Sequence, residues 1–323
     1  MLSISVEKNT GESNLNEIID LIRLSSEHLH HNALGDHAWL DLVQGGRSSV
    51  AGFIAKEYNH PHIVGYAQLS KGSDSWALEY VIHPGHYDNC VMIGTELLKF
   101  ALRDLELQGG GHIHMWVPKP DANSDLIAVN NNMTKGRVVI QMKLDLSDKD
   151  FNGFTVSDKN PVNVHINEAF YNITYLKNDQ DETDWLALNN AAFDQHPEQG
   201  NWDHTILKQR KSAEWFENRG FLLCREAITN ELVASCWVKI HDHHENKAGE
   251  IYVIAVNPNY KGKKLGETML KAGLAYMKGR KLNLAILYVD SENKTAINLY
   301  EKFGFTEDHV DQAYVIDLLA PTM

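Results

Sequence analysis

The chain has 323 residues, 43% of them hydrophobic and 9% aromatic, with 43 acidic against 30 basic residues and a formal net charge of −13. That length points to two domains of ordinary size, and that composition supports buried cores rather than a disordered chain. The acidic balance argues against a nucleic-acid backbone as main partner, because phosphate binding needs a basic face. Three cysteines, Cys90, Cys224 and Cys236, show no CxxC spacing, so neither a disulfide framework nor a zinc knuckle is expected and a reducing cytosol is the simplest setting. The start, "MLSISVEKNTGES", lacks a basic segment followed by an apolar one, and no apolar run approaches ~18 residues. A cytoplasmic, soluble, monomeric protein is expected, with no membrane partner.

In chain order, "LNEIIDLIRLSSEHL" (15–29) repeats apolar residues at three- and four-residue steps and predicts a helix. "HIVGYAQLS" (62–70) alternates as a strand does. "LEYVIHPGHYDNCVMIGTELLKFALRDL" (78–105) reads strand, His-Pro, loop, Ile-Gly, amphipathic helix; "GGGHIHMWV" (109–117) reads as a buried strand, and "RVVIQMKLDL" (137–146) closes the first half. The polar stretch 147–161 is the best linker, dividing the chain into domains 1–155 and 156–323. The second half repeats the order: helix "TDWLALNNAAF", strand "ELVASCWVKIH", then "VIAVNPNYKGKKLGETMLKAGLAYM" (253–277) and strand "LNLAILYVD". Pro84 and Pro258 lie 174 positions apart and Gly94 and Gly266 172, a spacing too long for a solenoid and suited to a duplicated domain. The expected fold class is α/β, written as an α+β mixed sheet flanked by helices, twice.

The segment "EIYVIAVNPNYKGKKLGE" (250–267) carries the strongest binding signal. Neither GxxxxGK[ST] nor a strand-following GxGxxG occurs. A strand instead runs into a loop and a helix start, whose free N–H groups and partial positive charge suit a pyrophosphate. Lys261, Lys263 and Lys264 add charge, and Gly262 and Gly266 permit close backbone approach. Read alone, the loop is equally a solvated lysine-rich turn.

"LYVDSENKTAINLYEKFGF" (287–305) then places Asn293, Ala296, Tyr300 and Gly304 in strand–loop–helix–turn order. With the loop before it, this resembles the GNAT superfamily of acyl-CoA-dependent N-acyltransferases, and the duplication resembles a tandem GNAT protein. The resemblance implies a strand that diverges from its neighbour, backbone groups pairing with the pantetheine arm, a loop holding pyrophosphate and a tyrosine facing the thioester sulfur. "NNAAFDQHPEQGNW", "CWVKIH", "GEIYVIAV", "LYVDSEN" and "VDQAY" narrow it, because together they resemble the mycothiol synthase family. That likeness implies transfer of acetyl from acetyl-CoA to the cysteinyl amine of cysteinyl-glucosaminyl-inositol, the last step of mycothiol biosynthesis.

By the same resemblance, Glu250 matches the general base and Tyr300 the acid that protonates the departing thiolate. Glu198, Lys239 and Tyr288 match contacts to the small amino-sugar thiol, and Asp36 matches one supplied by the N-terminal domain. Ile254, Ala255 and Val256 match the backbone partners of acetyl-CoA. Lys261, Gly262, Lys263, Lys264, Leu265, Gly266 and Glu267 match its pyrophosphate loop, with Asn293, Lys294, Ala296 and Asn298 along its side. The chemistry suits these residue types. An α-amine has a reference pKa near ~8, so a carboxylate need remove one proton, and backbone N–H groups can stabilise charge on the carbonyl oxygen. Direct transfer in a ternary complex follows.

Taken singly, Glu250 also reads as an exposed strand-edge carboxylate, Tyr300 as a core tyrosine beside Phe303 and Phe305, Glu198 as a turn residue and Asp36 as a helix cap. "HDHH" (241–244) and "EHLHH" (27–31) invite a metal, but without paired ligand spacing none is expected. Lys264 stands where the GNAT loop expects glycine. In the first half Trp76 aligns with Glu250 and Ala128 with Tyr300, while the loop "GHYDNCVMIG" has no Lys or Arg; that half is expected to be catalytically silent. Two alternatives stay open: a tandem GNAT protein acetylating another primary amine, and a non-catalytic acyl-CoA-binding regulator.

Overall fold

A computed structural model describes residues 3–9, 12–29, 31–43, 50–58, 60–72, 75–151, 153–156, 161–177, 179–194, 199–241 and 247–319. Its first half contains β1 (Ile4–Asn9), α1 (Leu15–Leu29), α2 (Asp36–Val43), β2 (Val50–Glu57), β3 (His60–Lys71), β4 (Trp76–Ile82), α3 (Cys90–Leu107), β5 (Gly111–Pro118), α4 (Ala122–Asn130) and β6 (Thr134–Asp145). Its second half contains β7 (Val162–Ile166), β8 (Ala169–Tyr175), α5 (Asp179–Ala192), α6 (His204–Lys211), β9 (Phe221–Glu226), β10 (Leu232–His241), β11 (Ala248–Val256), α7 (Leu265–Gly279), β12 (Leu284–Asp290), α8 (Lys294–Phe303) and β13 (Thr306–Leu318).

The molecule divides into one unit of residues 1–139 and 309–323 and another of residues 140–308. In the first, β1 to β5 follow one another antiparallel except for the parallel pair β4–β5. The apolar face of α3 (Ile93, Leu97, Leu98, Ala101) packs with Phe53, Leu78 and Ile113. On the opposite face, Ile18, Leu21 and Ile22 of α1 pack with Ile54 and Tyr66. In the second unit the order β7-β8-β9-β10-β11 is antiparallel and β11–β12 is parallel. Met269, Leu270 and Leu274 of α7 pack with Cys236, Ile251 and Leu287, whereas Trp185 of α5 and Leu207 of α6 pack with Phe221, Trp237 and Val253. A mixed sheet with helices on both faces, written twice, is the α+β arrangement expected from the repeat.

The domain boundary expected at 155/156 does not coincide with this division. β13 pairs antiparallel with β5 inside the first unit, from Asp311↔Pro118 to Leu318↔Gly111. Conversely, β6 from residue 140 onward lies in the second unit beside β12. Part of the strand after the last helix of each half therefore belongs to the other half's unit. The polar stretch 147–161 marks a change of composition, but register, which composition does not carry, decides where each strand pairs.

Close packing of α7 has a local cause. A Cβ at Gly273 would lie 2.7 Å from Cys236 Sγ and 3.0 Å from Ile251 Cδ1, so the absent side chain brings helix and sheet together. The three cysteines are buried and unpaired. Burial pushes the thiols of Cys224 and Cys236 up to about 12, which keeps both in the unreactive protonated form.

Candidate active site

The site grows from three neighbouring strands of the second unit. Glu250 on β11 stands opposite Lys239 on β10 and beside Ile286 on β12. Paired residues present their side chains on one face, so Lys239, Glu250 and, two residues beyond Ile286, Tyr288 share that face. Lys239 and Glu250 are each 8% exposed. The β10–β11 register shifts between Trp237 and Val238, which pair with Val253 and Ile251 and leave Tyr252 as an extra residue. Such a bulge bends its strand and raises its twist. The parallel pairing of β11 with β12 ends at Ile251↔Leu287, although the strands run on to Val256 and Asp290. Ile254, Ala255 and Val256 stay in register with β10 only. β11 and β12 thus diverge immediately after Ile251, the residue next to Glu250.

Around the carboxylate the chemistry is specific. Glu250 Oε2 lies 2.6 Å from His241 Nε2. Lys239 Nζ stands 5.2 Å from the centre of the Trp215 ring, a cation–π placement. Trp215 and Trp237 both lie against Tyr252, with centroids 5.1 and 5.2 Å apart. Tyr288 is 44% exposed, and its hydroxyl accepts a hydrogen bond from the Gln141 amide. Sequence patterns alone do not single out His241, Trp215 or Tyr252 as site residues. Period-two counting from Lys239 finds His241 and Trp237 on the same face; Trp215 sits in an irregular segment that no periodicity reaches.

On the opposite face, Tyr300 of α8 packs in the same core as Cys236, Ile251 and Met269, with its ring 5.9 Å from Phe305. Burial holds its phenol well above the ordinary tyrosine range. Glu250 and Tyr300 thus lie on different faces of the sheet, on either side of the point where the pairing of β11 with β12 ends.

The loop before α7 adopts the turn its residues demand. Asn257 accepts a hydrogen bond from the Asn259 N–H at 3.0 Å, Gly262 has φ 81°, and Lys264 has φ 59° and ψ 16° immediately before the helix. The position where glycine was expected is therefore in the left-handed region, and Lys264 occupies it at a cost of about 1 kcal/mol. Lys263 Nζ stands 4.2 Å from the Tyr260 ring centre. Leu265 is buried in the core, so only its backbone faces the loop. At Gly266 a Cβ would meet nothing nearer than 3.7 Å, so packing alone does not require glycine there. Glu267 in the first turn of α7 bonds Lys271 at 2.9 Å and Lys302 at 3.1 Å, and these contacts hold its carboxyl below the usual range. Asn293 accepts from the Ala296 N–H at 3.1 Å and caps α8, Lys294 donates to the Ser291 carbonyl at 2.7 Å, and Asn298 is exposed.

Two substrate positions are not placed. Glu198 lies outside the described residues, as do Asp242, His243 and His244; Asp36 opens α2, but its side chain is outside what is described. Among the described residues, no group of three or more His, Cys, Asp or Glu side chains is arranged to hold a metal.

The sequence and fold have known relatives. The model of the acetyltransferase (GNAT) family matches residues 184–305. The mycothiol acetyltransferase of Acidimicrobium ferrooxidans is 32% identical over 313 residues, covering 96% of each chain. That of Stackebrandtia nassauensis is 30% identical over 316 residues, 97% of this chain and 99% of the other. The chain belongs to the mycothiol acetyltransferase family. Among solved structures, a tandem GNAT protein from the clavulanic acid biosynthesis pathway superposes with a TM-score of 0.74 at 13% identity, covering 99% of this chain and 100% of that one. A GCN5-related N-acetyltransferase from Sphaerobacter thermophilus gives 0.69 at 14%, covering 99% and 97%. At those identities the likeness shows the fold alone.

Within this mycothiol acetyltransferase-family chain the two units differ at the corresponding register position. Trp76 opens β4 opposite Lys71 and beside Ile113, as Glu250 stands opposite Lys239 and beside Ile286. The β3–β4 register shows no shift, so the bend found at Tyr252 has no counterpart there. β4 also diverges from β5 after Ala77↔His114, leaving a cavity of roughly 400 Å³ lined by Glu79, Tyr80, Tyr87 and Trp116 among others. Ala128, aligned with Tyr300, is fully buried.

Proposed function

We propose that the second unit acetylates the cysteinyl amine of cysteinyl-glucosaminyl-inositol with acetyl-CoA as co-substrate, completing mycothiol biosynthesis. The observation that carries this is a nearly buried carboxylate, Glu250, on the strand that leaves its neighbour just after the following residue. When bound, acetyl-CoA supplies an activated acyl carbonyl and a thiolate leaving group. Glu250 takes a proton from the acceptor ammonium, because only the neutral amine has a lone pair. Backbone N–H groups of 254–256 that β12 does not engage provide donors for charge developing on the carbonyl oxygen. Tyr300, held protonated by burial, gives a proton to the departing sulfur. Lys239, Tyr288 and the Trp215 ring line the face from which the acceptor approaches, with Glu198 and Asp36 as its further contacts.

The α7 N-terminus with Lys261, Gly262, Lys263 and Lys264 holds the pyrophosphate. Ile254, Ala255 and Val256, in register with β10 only, take the pantetheine arm along their other edge, and Asn293, Lys294, Ala296 and Asn298 flank it. The first unit has Trp76 in place of the carboxylate and is catalytically silent. A small amino-sugar thiol is the partner, rather than nucleic acid or a membrane, and the enzyme works as a cytoplasmic monomer without a metal.

The test offers the purified protein acetyl-CoA with cysteinyl-glucosaminyl-inositol, a polyamine, an aminoglycoside and a peptide, and follows acetylation by mass spectrometry. Gain of one acetyl group on the first acceptor alone is expected. Preference for another amine would make it a different tandem GNAT transferase, and acyl-CoA binding without turnover would make it a regulator. Glu250→Gln is expected to lower kcat by about 10²-fold or more with acetyl-CoA affinity unchanged. Wild-type turnover would assign the base elsewhere.

A further inference from the structure

The shortest contact described for the Glu250 carboxylate is to an imidazole. We propose that His241 is a positioning residue for Glu250: its Nε2–H holds Oε2 and leaves Oε1 for the acceptor amine. The proposal rests on Glu250 being the base.

The geometry is direct. His241 Nε2 and Glu250 Oε2 lie 2.6 Å apart, and the two side chains are 21% and 10% exposed. Both sit on the rigid β10–β11 ladder, His241 opposite Ala248 and Glu250 opposite Lys239, so the pair is set by strand register rather than by a loop. Among the described residues His241 is the titratable group in contact with that carboxylate. Among the described residues, charged or titratable groups on the neighbouring elements have other contacts. Lys239 on β10 stands over Trp215, and Tyr288 on β12 takes the Gln141 amide. On α5, Asp181 and Asp184 bind Arg225 and Glu182 binds Lys211.

A neutral imidazole donating one N–H fixes a carboxylate rotamer while leaving its charge intact. The hydrogen bond therefore fixes the orientation in which Glu250 meets the amine, and its loss is read in kcat rather than in KM.

The experiment measures kcat and both KM values of full-length protein for wild type, His241→Gln, His241→Ala and Glu250→Gln. Gln keeps an N–H donor, so H241Q is expected to recover most of the kcat that H241A loses, to within about threefold of wild type. H241A is expected to lose about 10- to 100-fold in kcat with both KM values within about twofold. If H241A fails to fold, H241Q alone decides. A loss of kcat of about tenfold or more in H241Q, or a wild-type kcat in H241A, overturns the role of His241. Turnover by E250Q at the wild-type rate instead overturns the assignment of Glu250, so the two failures are separable.

Discussion

At the scale of single residues, Lys264 shows how a chain can carry charge where its backbone prefers glycine. Its φ of 59° places a Cβ in the left-handed region directly before α7. Lys264→Ala keeps that conformation and loses the charge, while Lys264→Gly loses both charge and strain. K264G is expected to be about 1 kcal/mol more stable than K264A in urea unfolding. Weaker acetyl-CoA binding by both variants, measured by calorimetry, would assign the ammonium to the pyrophosphate. Unchanged binding in both would remove it from the site.

Tyr300 makes a pH prediction. Burial raises its phenol above the free value, so the hydroxyl keeps its proton well beyond neutrality, and kcat is expected to show no basic limb from this group up to about pH 10. The stability that follows from the same shift is fully present below the unfolded tyrosine value and is lost as pH rises from there through the higher folded value. Tyr300→Phe is expected to lower kcat about tenfold or more while leaving the urea midpoint near wild type. Lys239, Glu250 and Tyr288 entered the sequence reading through the family likeness, and strand register puts the three on one face. His241 escaped because it reads as the first residue of a histidine run, and only strand register brings it to Glu250.

At the scale of elements, the helices and central strands were legible from period and from the Pro–loop–Gly punctuation, and α1 covers the residues its apolar repeat predicts. The divergence of β11 from β12 entered only as something the family likeness implied. It follows from a bulge on one side and an ended ladder on the other, and neither leaves a mark in composition. What seats α7 against this pair is Gly273. Gly273→Ala would push a methyl to 2.7 Å from Cys236 Sγ. The expected loss is about 1–3 kcal/mol by urea unfolding, despite alanine's better helix propensity. A stability equal to wild type would mean that helix and sheet yield more easily than their packing implies.

At the scale of the whole molecule, the duplication was legible from the spacing of its prolines and glycines, and the ownership of the closing strands was not. A strand reads the same whichever neighbour it joins. Cutting the chain at 155/156 would therefore strip residues 140–155 from one unit and residues 309–323 from the other. The two fragments expressed separately are expected to be insoluble or to lack cooperative unfolding, and to recover acetyl transfer only when co-expressed. A soluble, cooperatively melting fragment 156–323 would show that β6 is dispensable to its unit.

That exchange also dictates an order of events during synthesis. Everything up to residue 139 leaves the ribosome early, yet β5 waits with one bare edge until the closing stretch 311–318 arrives. The unit begun first is thus completed last. Throughout translation a half-made molecule exposes a sticky seam, and the time for which it does so scales with the length of everything in between.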